Sequence, residues 1–214
     1  MEKLLSLLVG LTGGMGTGKT LAASIFKELG AHILDADLIC RKLVEPGQPA
    51  LKEITDIFGE DIIDKSGNLN RKELGQLVFC DPNQREKLEN ILHPKVFECE
   101  KLEYNAICKI NPKALVIVDA ALLIESGNHR EMDRVIVINS DEKIRIQRIL
   151  SRGKWNNNEV VARLKNQMSS TEKIKYADFV LDNNRDKMHL KEQVEILYAN
   201  LCLLASENIS KTTL

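Results

Sequence analysis

The sequence predicts an α/β fold: a five-stranded parallel sheet flanked by helices, with a helical insertion and a lid. Three observations predict it. Short apolar runs without polar alternation read as strands buried on both faces. Helical patterns separate those runs. A glycine-rich turn joins the first run to the first helix.

Leu4–Leu11 is the first run, and Lys19–Leu29 the helix after the turn, closed by Gly30 in the position where a left-handed residue ends a helix. Ala31–Leu34 is the second strand and leads into Asp35-Ala36-Asp37. Ala114–Val118, Arg134–Ile138 and Ala177–Leu181 complete the sheet, and Asp186–Ala205 reads as a closing amphipathic helix. About 75 residues separate the second and third strands, where a parallel crossover needs only a dozen or so. Turn signals at Pro46-Gly47, Ser66-Gly67-Asn68 and Asp81-Pro82 punctuate them. Residues 36–112 are therefore expected to form a helical substrate-binding insertion in a core made of 1–35 and 113–214. The polar run Asn156-Asn157-Asn158 marks a second excursion, a mobile lid at about 152–170.

Composition narrows the function classes. The chain has 214 residues, 43% of them hydrophobic, which is too apolar for a disordered chain. Thirty Lys and Arg stand against 31 Asp and Glu, for a net charge of -1, so no global field favours nucleic acid or an anionic membrane. No stretch approaches the roughly 20 apolar residues a membrane span needs. Asp119 interrupts the longest, Ala114–Ile124. The N-terminal run is short and leads into glycines rather than a cleavage site, unlike a signal peptide. Five cysteines without CxxC spacing argue against a zinc site or a disulfide framework. A cytoplasmic protein is expected.

Gly13-Gly14-Met15-Gly16-Thr17-Gly18-Lys19-Thr20 satisfies GxxxxGK[ST], and it lies between a strand and a helix, the context that gives the pattern its meaning. Glycines let the backbone wrap phosphate oxygens closely, and amides from Gly16 through Leu21 can point inward at a helix N-terminus. Lys19 would bridge the β- and γ-phosphates, and Thr20 would place its hydroxyl on magnesium. A turn that merely caps a helix does not need Lys followed by Thr. The fold is thus of the phosphate-loop nucleoside-triphosphate hydrolase type, with ATP and Mg2+ as expected cofactors.

Val116-Ile117-Val118-Asp119 has the form of a strand ending in a magnesium-holding acid, the contact running through water. Asp35 and Asp37 close the second strand, the neighbour expected beside the phosphate loop, where ligands of open parallel sheets bind. Either carboxylate could take the proton of a hydroxyl attacking the γ-phosphate. Asp37 could equally cap a helix or pair with Arg41. Arg145, Arg148 and Arg152 share one helix face leading into the lid and could close over triphosphate oxygens, or form a solvated face. His93 and Trp155, read alone, are ordinary structural residues.

A GTPase switch would need an NKxD-type base-reading motif, which is missing, and the DxxG match Asp56–Gly59 lies in the insertion. A remodelling ATPase would bring more chain. A small-molecule kinase needs what this chain offers: phosphate loop, nearby acid, insertion and arginine-bearing lid.

Within that class the chain resembles the dephospho-coenzyme A kinases, from Val9 to about Asn184. The resemblance rests on Gly10–Thr20, Asp35-Ala36-Asp37, Val44-Glu45-Pro46-Gly47, Phe58-Gly59, Leu69-Asn70-Arg71 and Leu92-His93-Pro94. It continues through Leu122-Leu123-Ile124-Glu125, Gln147-Arg148, Ala177-Asp178 and Asp182-Asn183. It implies transfer of the ATP γ-phosphate to the ribose 3′-hydroxyl of dephospho-coenzyme A, the last step of coenzyme A synthesis. Nucleotide and shikimate kinases share the loop without the later segments. It further implies Asp37 as base, Asp35, Arg71, His93 and Glu125 on the acceptor side, and Arg148 and Arg152 as lid arginines approaching the nucleotide phosphates. The partners expected are the two small molecules, with no nucleic acid or membrane; a monomer is the expected state, with an oligomer left open. Departures are small: Ala121 stands where the family often has Pro, and Met15, Thr17 and Thr20 where Ile, Ser and Ser are common.

Overall fold

A computed structural model of the chain describes residues 6–153, 155–165 and 167–210. Leu4 and Leu5, which the sequence assigns to the first strand, lie outside them. The chain divides into two compact units, one running to Leu34 and resuming at Tyr104, the other Asp35–Glu103.

The first unit is built on a five-stranded sheet: β1 (Leu7–Thr12), β2 (His32–Asp35), β3 (Leu115–Asp119), β4 (Arg134–Asn139) and β5 (Phe179–Asp182). Their order is β2-β3-β1-β4-β5. The pairings of β1 with β3 and β4, and of β4 with β5, are parallel. The expectation that the second strand adjoins the first is corrected here. The reason lies in the residues. All five positions of Leu-Val-Ile-Val-Asp in β3 are buried, so it must be covered on both faces and edges. His32 and Asp35 of β2 are exposed, which suits an edge. Asp119, register partner of Leu11, therefore stands beside β1.

Helix α1 (Lys19–Glu28) follows β1, and Gly30 (φ 111) takes the left-handed position just beyond it. Its Ala22, Ile25 and Phe26 pack with Val9, Leu11, Ile117, Ile136 and Ile138 of the sheet. The closing helix, residues 187–210, presents Leu190, Val194, Leu197 and Leu201 to the same core, at the spacing of one helical face.

The second unit holds α2 (Ala36–Leu43), α3 (Pro49–Phe58), α4 (Arg71–Cys80) and most of α5 (Pro82–Ile110), which runs on into the first unit. Val44, Ile54, Ile62, Leu74 and Ile91 form its core. Asn70 caps α4 and Asp81 caps α5, at the breaks where the sequence places turns.

After β4 come α6 (Glu142–Leu150), α7 (Asn157–Lys165) and α8 (Ser170–Ile174), and the closing helix is α9 (Lys187–Ser210). Since α6 stops at Leu150, Arg152 sits in the following turn, and the expected single face of three arginines does not form. Among the described residues, no helix is long and apolar enough to cross a membrane.

Candidate active site

The glycine-rich loop leaves the C-terminal end of β1 and enters α1 through Gly18, whose φ of 98 only glycine adopts without strain. Gly16 is also left-handed, at φ 84. The loop closes on itself where the Thr17 hydroxyl donates to the Gly14 carbonyl at 2.8 Å. The amides of Thr17 and Leu21 donate to the carbonyls of Gly14 and Gly18, at 3.2 and 3.0 Å.

Three side chains distant in sequence hold the loop from outside. Asn183, 4% exposed, donates its amide to the Thr17 carbonyl at 2.6 Å. Gln167 accepts from the Met15 amide at 3.1 Å. Arg145 donates Nε to the Met15 carbonyl at 2.9 Å and Nη1 to Ser170 Oγ at 3.2 Å. Its guanidinium lies against Gly14, where any Cβ would strike it. Arg145 is therefore a buried support of the loop, and burial pulls its pKa below the usual guanidinium value. The family resemblance names only Arg148 and Arg152 of the three arginines. The available signal was its spacing four before Ile149, which puts both on the buried face of α6.

Lys19 reaches across to the Asp119 carboxylate at the end of β3. The chain after β3 is stitched back to β1, since Ala120 donates to the Leu11 carbonyl and the Thr12 hydroxyl to the Ala121 carbonyl, both at 3.1 Å. Glu125 lies on this turn. Its Oε2 accepts from Lys173 Nζ at 2.8 Å. Lys173 is 1% exposed, and burial lowers its pKa while the facing Glu125 pulls it back up. Nothing in the sequence marks Lys173, a lysine among lysines near a lid.

Arg148 donates Nη1 to the Asn183 carbonyl at 2.9 Å and to Ser140 Oγ at 3.4 Å. Arg152 is exposed. Thr20 is also exposed, in the first turn of α1.

The remaining candidates belong to the second unit. Asp35 is the N-cap of α2, accepting from the Leu38 amide at 2.9 Å. The capping role weighed for Asp37 thus falls to its neighbour two residues earlier. Asp37 stands exposed in the first turn of α2. Burial pushes the Cys40 thiol up; Asp37 adds to the shift and Arg71 opposes it, so this unit brings Asp37 and Arg71 around one cysteine. His93 stacks on Phe97 one turn along α5, with ring centroids 5.9 Å apart.

Oxygen donors suited to magnesium are present in the Thr20 hydroxyl and the Asp119 carboxylate. Among the described residues no group of three or more His, Cys, Asp or Glu gathers as a metal cage.

The family model described as dephospho-CoA kinase matches residues 7–189. A dephospho-CoA kinase of Leifsonia xyli subsp. xyli is 39% identical over 194 residues, covering 91% of this chain and 98% of its own. That of Aquifex aeolicus is 37% identical over 194 residues, covering 90% and 96%. Among solved structures, a Thermus thermophilus protein superposes with a TM-score of 0.77 at 28% identity, covering 92% and 98%. The dephospho-CoA kinase of Campylobacter jejuni gives 0.61 at 25% identity, with the same coverages.

Proposed function

The chain belongs to the dephospho-CoA kinase family, and from that membership we propose how its residues divide the work of the reaction. The reaction moves the ATP γ-phosphate to the ribose 3′-hydroxyl of dephospho-coenzyme A, the last step of coenzyme A synthesis. The observation that carries this reading is the glycine loop ending β1, with Lys19 turned onto Asp119.

The amides of Gly16, Gly18, Lys19 and Thr20 hold the β- and γ-phosphates, aided by the N-terminal charge of α1. Lys19 shares its charge between Asp119 and the phosphate oxygens. Thr20 and Asp119 are the residues that would hold magnesium, which when bound neutralises charge on the phosphates. Asp35 at the end of β2 and Arg71 and His93 of the insertion, 36–112, supply acceptor contacts, and Glu125 supplies one from the core. Asp37 orients the 3′-hydroxyl. As the new O–P bond forms and the bond to the ADP oxygen breaks, its carboxylate takes the hydroxyl proton. Arg148 and Arg152 approach the phosphates from the lid, and the closed lid excludes water as a competing acceptor. The cytoplasm and a monomeric state are the expected setting.

The test is ATP consumption with magnesium in the presence of dephospho-coenzyme A, adenosine, AMP or shikimate. Stimulation by dephospho-coenzyme A alone, with coenzyme A as product, is expected. Stimulation by another acceptor instead would move the activity to a neighbouring kinase type.

A further inference from the structure

Lys173 is a lysine almost wholly withdrawn from water, 1% exposed. Its ammonium makes two contacts of 2.8 Å, to Glu125 Oε2 and to the Ala121 carbonyl. Both partners belong to one turn, the chain that follows β3. That turn is also held to β1 by the Ala120 and Thr12 bonds, by apolar packing with Leu123 fully buried over Gly10, and by Ser126 bonds to the carbonyls of Leu122 and Leu123. Lys173 itself is fixed from below. It sits on α8, a single short helix closed by a reciprocal capping box of Ser169 and Glu172.

An apolar side chain would fill this space at less cost, because burying an ammonium loses hydration that one carboxylate seldom repays in full. The charge has a use only if it directs something. What it directs is the Glu125 carboxylate, whose side chain is still 23% exposed.

We infer that Lys173 is a positioning residue for acceptor binding, setting both the Glu125 carboxylate and the backbone turn that carries it. The inference rests on the reading of Glu125 as an acceptor-side residue. Lys173 does not touch the substrates and acts through Glu125. A break in this contact loosens the acceptor site before it disturbs the phosphate loop, which has its own supports in Asn183, Gln167 and Arg145.

The test is steady-state kinetics of the full chain as Lys173→Met, Glu125→Gln and the double variant, with thermal midpoints beside them. Loss of a charge-assisted bond predicts a KM for dephospho-coenzyme A raised about 10-fold in Lys173→Met, with KM for ATP within about 2-fold. In the double variant, Lys173→Met should add less than about 2-fold to the effect of Glu125→Gln, since the two act through one contact. The double variant also leaves no unpaired charge, so it stays informative if Lys173→Met alone folds poorly. An equal rise in both KM values would make Lys173 a source of positive potential for ATP and overturn the proposal. Independent, multiplying effects in the double variant would overturn it as well. A Glu125→Gln enzyme with unchanged acceptor KM would instead remove the reading of Glu125 on which it stands.

Discussion

Asn183, at the end of β5, donates its side-chain amide to the carbonyl of Thr17 across 166 positions of sequence, at 2.6 Å. Its amide also lies where a Cβ on Gly18 would be. Arg148 in turn donates to the Asn183 backbone carbonyl at 2.9 Å, so the phosphate loop, the β5 end and α6 are joined in series. Asn183→Ala removes the donor and leaves a buried carbonyl unpaired, a loss of about 1–3 kcal/mol. The expected result is weaker ATP binding by about 10-fold or more, read by titration calorimetry.

Gly18 and Gly67 separate two penalties that sequence alone would merge. Both are left-handed, at φ 98 and 80, but a Cβ at Gly67 meets nothing within 4 Å. Gly67→Ala should cost about 1–2 kcal/mol of stability and leave kcat unchanged. Gly18→Ala adds a collision with Asn183 inside the loop, and ATP binding should be largely lost. Denaturant melts and ATP titration on both variants check the contrast.

Asp35 and Asp37 are two residues apart, and their expected effects differ. Asn caps a helix about as well as Asp, so Asp35→Asn should keep the α2 N-terminus intact, whereas Asp35→Ala should cost about 1 kcal/mol. Asp37→Asn removes the proposed base and should lower kcat by about 100-fold or more, with ATP affinity nearly unchanged. Near-normal turnover in Asp37→Asn would sink the base assignment.

Tyr104 offers a pH test away from the site. Burial pushes its phenol up to about 12 from 10.0, while the Ser6 hydrogen bond opposes the shift. A raised tyrosine pKa means the native state holds the proton more tightly than the unfolded chain. Its stabilising contribution is full below pH 10.0 and is lost as pH rises toward about 12. Chemical denaturation across that window should show stability falling more steeply than in Tyr104→Phe.

Arg145→Met would keep most of the volume against Gly14 while removing the bond to the Met15 carbonyl. A rise of about 10-fold in KM for ATP is expected, with the acceptor KM little changed. That is the reverse of the Lys173→Met pattern, and the pair of variants divides loop support from acceptor positioning.

The contiguous features were legible in the residues themselves. Gly13–Thr20 specifies a loop because left-handed glycines, a lysine and a hydroxyl act within eight successive positions. The strands show in their uninterrupted apolar runs, and the chain breaks at Asp81-Pro82 in a capped, proline-started helix. The helix carrying the arginines ends two residues before Arg152, which keeps the helical spacing without belonging to the helix.

Strand order, by contrast, came only from tertiary structure. Local pattern says that β2 and β3 exist, but which one lies beside β1 depends on how completely each must be covered. The fully buried β3 takes that place and brings Asp119 to Lys19. The same holds for Arg145, Gln167, Lys173 and Asn183. Each acts on a backbone group or carboxylate far away in sequence, and no periodicity encodes such a partner. By itself the sequence determined the chemistry of the phosphate loop and the kind of fold, because those depend on neighbours along the chain. Packing decided which distant polar side chains hold that loop in shape, because a buried donor must find its acceptor wherever the fold brings one within reach.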